Sequence, residues 1–184
     1  MKFNYSFKET TKSKYNSVFK SDNTIVLILA FTALFIPIIL GHIQFTNQLI
    51  IGSTVNFLLA SSAIYLTFKK ALPIILIPAI AAVLSAVIFG PFTMFLVYLI
   101  PFIWIGNALY VYFIKNFNLL NKVNYFASAL GAGIIKSLFI FFGTFALVLA
   151  GIVPEVFLIP MGLIQFITAV IGGSLAFTAK ALQK

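Results

Sequence analysis

One residue able to do chemistry stands where chemistry is least expected. Lys136 falls about 12 positions into a long apolar run, or about 18 Å along a helix at 1.5 Å per residue. That depth is near the centre of a bilayer, where a lysine is costly unless it is paired or solvated. A backbone carbonyl, water in a cavity or an anionic ligand could serve as its partner. The alternative is a side chain that snorkels toward one face or stays neutral in the core. Other polar groups stand at similar depths: Asn56, Gln165, and the pair Trp104 and Asn107, three apart on one helix face. Tyr98 lies closer to the end of the same run. An amide or indole in lipid needs a partner, either another helix or a ligand. Taken with Lys136, these residues predict a shared polar cavity that opens outward.

The chemistry the sequence lacks narrows the reading. Its three acidic residues are Glu9, Asp22 and Glu155, and none lies deep in an apolar run. Ion-coupled transport and acid-based intramembrane hydrolysis normally use buried carboxylates, so neither is expected. The single histidine, His42, has no acid or thiol neighbours with which to hold a metal. There are no cysteines, which excludes disulfides and thiolate sites. Gly131-Ala-Gly133-Ile-Ile-Lys136-Ser137 looks like part of a phosphate-binding loop, but Ile135 precedes the lysine, so the required spacing fails. No enzyme activity, cofactor or ATP use by this chain is expected.

The composition says which elements must position these groups. Of 184 residues, 62% are hydrophobic and 8% charged; a soluble domain has about 45–50% and about 25%. A soluble enzyme or binding module is excluded, and so is disorder. The net charge is +9, and every basic residue is a lysine. These lysines separate apolar runs, so they read as topology signals and not as a nucleic-acid surface.

Six runs reach the length that crosses a bilayer, about 17–25 residues: 24–40, 49–68, 71–90, 92–114, 125–151 and 156–179. Without strict alternation they predict helices, and short connections predict antiparallel neighbours. The first run follows a polar segment and has no small-x-small cleavage site, so it reads as a span and not as a cleaved signal. The fold expected is an all-α integral membrane bundle of six transmembrane helices over 23–184, preceded by a tail over 1–22. Eleven lysines outside the spans fall on one side: five before the first span, Lys69 and Lys70, Lys115 and Lys122, and Lys180 and Lys184. The positive-inside rule makes that side, and both termini, cytoplasmic. The tail mixes lysines with Phe3, Tyr5, Phe7, Tyr15 and Phe19, which fits either a helix on anionic lipid or a solvated topogenic segment.

Small residues cluster in the third, fifth and sixth runs, among them Ala82 and Ala86, Gly131 and Gly133, and Gly172 and Gly173. Such faces allow close helix approach, within the bundle or against a partner. Five prolines within the runs are expected to bend their helices and free carbonyls.

The segment Phe89-Gly-Pro-Phe-Thr-Met-Phe-Leu-Val-Tyr-Leu-Ile-Pro-Phe-Ile-Trp-Ile-Gly106 resembles the Gly-Pro-Phe turn and Pro-interrupted fourth helix of the substrate-binding S components of energy-coupling factor (ECF) transporters. Ile171-Gly-Gly-Ser-Leu-Ala-Phe177 is similar as well, and length and topology agree along the whole chain. That family's first helix carries an Ala-x-x-x-Ala docking face; here Ala30-Phe-Thr-Ala33 is nearest, with Leu34 in place of the second alanine. The resemblance implies a subunit that binds a vitamin-like nutrient from outside and topples on a module of one transmembrane coupling protein and two ATPases, in a bacterial plasma membrane. It places the pocket at His42, Gln44, Tyr98, Trp104, Lys136 and Gln165, beside the Asn56 and Asn107 of the first paragraph. Docking would fall on Ala30, Ala33, Ala82 and Ala86. The competing reading is a small channel or accessory subunit without its own ligand.

Overall fold

Lipid offers no hydrogen bonds to a backbone, so each apolar run has to satisfy its own N–H and C=O groups. In the computed structural model, which describes residues 23–41, 48–86, 88–120 and 123–182, it does so by winding into helices, and no strand occurs among these residues. Helix α1 spans Asn23–Gly41, α2 Gln48–Tyr65 and α3 Phe68–Ser85. A 3₁₀ turn over Gly90–Phe95 leads into α4, Leu96–Lys115, which closes in a π turn over Asn116–Leu120. Helix α5 is Tyr125–Leu149. A 3₁₀ turn, Glu155–Phe157, and a π segment, Pro160–Ile164, precede α6, Gln165–Ala181. Among the described residues six helices are long and apolar enough to cross a membrane, and these residues are all-helical with no strand, as in a multi-pass membrane protein. The expected tail over 1–22 lies outside the described residues.

The third span differs most from its expected bounds of 71–90. It begins earlier because Thr67, in extended conformation, caps the helix and accepts from the Lys70 backbone N–H at 3.4 Å. Lys69 and Lys70 therefore sit in the first turn of α3 and not in a loop. It ends earlier because Ala86 adopts the left-handed conformation (φ 56°) and folds its N–H back on Val83. Gly90-Pro91 starts the 3₁₀ turn instead of making the reversal itself. Lys115, expected in a loop, ends α4; its Nζ donates to the carbonyls of Ala63 and Leu66 at the close of α2. The ammonium so satisfies carbonyls that the end of α2 leaves open.

Helix α2 is central, packing on α6, α4 and α3, while α4 and α5 lie side by side and α5 meets α6. The closest seam joins α2 and α6. A Cβ on Gly172 would stand 2.5 Å from the Phe57 nitrogen and 2.6 Å from the Ser53 carbonyl oxygen, so the two backbones touch there. One apolar core gathers Leu59, Ile74, Ile75, Tyr110 and Val111, and a second gathers Leu96, Leu99, Ile140 and Phe157. Outside them, Leu27, Leu84, Phe142, Ile159 and Leu163 are exposed, the arrangement lipid favours. Thr32, Thr54, Ser62, Ser85, Thr144 and Ser174 return their hydroxyls to carbonyls three or four residues back and so need no water.

Candidate functional site

Between these helices lies a partly open cavity of about 100 Å³. Its lining comes from one half of the bundle: Pro37 late in α1, Gln48, Ile51 and Asn56 in the first half of α2, Pro78 and Ala82 late in α3, Leu96, Ile103 and Asn107 in α4, and Pro160, Gln165 and Thr168 entering α6. Lys136, midway along α5, joins them. The other described lysines, Lys69, Lys70, Lys115 and Lys180, stand at helix ends in the opposite half.

Lys136 does not snorkel, since it is 1% exposed. Its Nζ donates to Asn56 Oδ1 at 2.5 Å. The Asn56 amide is itself held, its Nδ2 donating to the Gly52 carbonyl at 2.9 Å and to Thr168 Oγ1 at 3.0 Å. The Thr168 hydroxyl donates onward to the Ile164 carbonyl at 2.8 Å. The Lys136 ammonium also stands 5.4 Å from the centre of the Tyr110 ring, within cation–π range. Tyr110 is fixed in turn, since its hydroxyl donates to the Ala169 carbonyl at 2.6 Å. The cluster thus ties α5 to α2, α4 and α6 through neutral partners alone. Glu155 is the one carboxylate among the described residues, and it is exposed in the α5–α6 connection.

The other deep donors serve the bundle. Trp104 Nε1 donates to the Leu76 carbonyl at 2.9 Å and Asn107 Nδ2 to the Ile75 carbonyl at 3.1 Å. Both carbonyls lie in the turn before Pro78, next to the Ile74 carbonyl whose helical donor the proline lacks. Asn107 still lines the cavity, while Trp104 is half-buried beside it and does not.

Of the expected pocket residues, the structure brings Lys136, Asn56, Asn107 and Gln165 to one cavity. Tyr98 is 55% exposed and does not line it. His42 and Gln44 lie outside the described residues. The expected docking alanines do not form one surface: Ala33 is fully buried in the first core, Ala30 is half-buried, Ala82 lines the cavity, and Ala86 is exposed at the end of α3. Three site residues were missed from the sequence. Thr168 follows Gln165 by three and Tyr110 follows Asn107 by three, a helical spacing that was available as a signal. Gln48 stands one position before the expected second run and opens α2 at the cavity. Among the described residues no cluster of His, Cys, Asp or Glu could hold a metal ion. The arrangement is suited to holding a small molecule by hydrogen bonds and charge.

No family model, curated protein or solved structure is detectably similar to this chain.

Proposed function

We propose that this protein is the membrane-embedded substrate-binding subunit of an ECF-type importer, capturing a small nutrient from outside for uptake driven by a partner module. One observation carries the reading: a mostly apolar cavity, lined by the buried Lys136 and by the amides of Asn56, Asn107 and Gln165, occupies the half of the bundle that bears no other described lysine. The positive-inside rule puts the lysine-bearing half in the cytoplasm, so the cavity lies toward the outside of the cell membrane. The chain offers nothing with which to use nucleotide, so energy has to come from a coupling protein and its two ATPases. The family resemblance of residues 89–106 supports the same reading.

The orientation has a direct test, because the chain has no native cysteine. A cysteine replacing Ile152, which is 41% exposed in the α5–α6 connection, should react with an impermeant maleimide added to intact cells. One replacing Val123, exposed before α5, should react only after permeabilisation. The reverse pattern refutes the orientation. Val153, a natural first choice by sequence, is buried in the second core and unsuited to the test.

The role is tested in liposomes. Reconstituted alone, the protein should bind its ligand and accumulate none under a proton or sodium gradient; adding a coupling protein with its ATPases and ATP should give accumulation. Gradient-driven uptake without partners would make it a secondary transporter. Ion conductance without ligand binding would make it a channel.

A further inference from the structure

The cavity also indicates what it holds, on the premise of the preceding section that it is a binding site. Lys136 is fully buried, yet its hydrogen-bonding partner is an amide oxygen and its other close neighbour an aromatic face. An ammonium has three N–H donors, and Asn56 takes one. Neither Asn56 nor Tyr110 carries a compensating charge, and a buried charge is tolerated when it is paired. Helix gluing alone does not call for an ammonium: a neutral donor at residue 136 would bridge to Asn56 without the desolvation cost of a cation. The rest of the lining is mostly apolar, including Ile51, Val55, Ile103 and Met161, with the amides of Gln48 and Gln165 toward the helix ends.

We infer that the cavity takes a small monocarboxylate with an apolar body, its carboxylate seated on Lys136 Nζ. The count of charges selects a monoanion. Among the described residues Lys136 is the only charged one in the lining, so a dianionic phosphate would leave one negative charge buried and uncompensated there. A carboxylate matches it one to one and gains a charge-assisted hydrogen bond. An amine would meet like charge at the same place.

The test uses matched probes on the detergent-purified full chain: benzoate, benzamide and benzylamine, and hexanoate, hexanamide and hexylamine, with binding read by equilibrium dialysis. Inorganic phosphate, held at a pH where it is the dianion, is the dianion control. The carboxylates are expected to bind at least tenfold more tightly than their amides, and the amines and phosphate not to bind. Lys136→Met and Lys136→Gln are each expected to weaken carboxylate binding by at least about 30-fold, the lower end of what loss of one partner of a buried charge pair costs. Lys136→Gln keeps a donor toward Asn56, so it isolates the charge even if Lys136→Met folds poorly. Amides binding as well as carboxylates would overturn the inference while leaving the binding subunit intact, and so would carboxylate binding unchanged in both variants. Preference for phosphate would overturn the monoanion argument. Failure of every probe to bind would overturn the inference, while the proposed function would stand or fall on the liposome experiment.

Discussion

Replacing Asn56 with leucine is expected to destabilise the protein by about 3 kcal/mol, the upper range for a lost hydrogen bond to a charged group. Leucine has the branched shape of asparagine without its polar atoms, so the loss is mostly polar. The Lys136 ammonium would lose its amide acceptor, and the Thr168 hydroxyl the Asn56 amide donor. The companion expectation separates this from a packing defect. In the double variant Asn56→Leu, Lys136→Met the orphaned charge is gone, and most of the lost stability should return. The two substitutions should therefore be non-additive by about 1.5–3 kcal/mol, a coupling expected of residues in direct contact. Equilibrium unfolding of the four proteins in mixed micelles measures it. Simple additivity would mean that the 2.5 Å contact between Lys136 and Asn56 is not holding a charge.

The second large effect belongs to the α2–α6 seam. In Gly172→Ala the added Cβ would meet backbone atoms of Phe57, Ser53 and Asn56 at 2.5–2.7 Å, and a backbone cannot rotate away as a side chain can. Helix α2 has to retreat, and overpacking of this kind costs about 1–3 kcal/mol. Because Asn56 is part of the displaced backbone, ligand binding should weaken too. Gly131→Ala is the control. Its Cβ would lie 3.6 Å from the Phe117 side chain, an ordinary contact, and alanine favours the helix over glycine by about 1 kcal/mol. It should be neutral or stabilising. Equal unfolding midpoints for the two variants would show that α2 and α6 do not meet as described.

The contrast between these glycines shows where sequence reading stops. Both stand in apolar runs rich in small residues, and nothing local tells that one touches a neighbouring backbone while the other faces a ring. Span number was legible because bilayer thickness sets it, and hydropathy is additive along a run. Span ends were not: the start of α3 depends on a threonine cap, and its end on a left-handed alanine for which the residue type gives no warning. In the site, the depth of Lys136 followed from counting residues. Its partner did not, since Asn56 lies 80 positions away and reaches it only through the register of α2 against α5. The same limit applied to Asn107 and Trp104. The sequence showed polar groups at depth, but only the pairing of α4 with the proline-disturbed turn of α3 shows that their donors are spent on the carbonyls of Ile75 and Leu76.

That last pairing gives the molecule a built-in optical reporter. The chain contains one tryptophan, and its indole N–H is bonded across to α3, two residues before the Pro78 that lines the cavity. Indole fluorescence responds to hydrogen bonding and to the polarity around the ring, and no second tryptophan contributes background. The emission of the unmodified protein therefore reports on the surroundings of the α3–α4 contact, and a change there when a ligand is added can be followed in real time without attaching a dye.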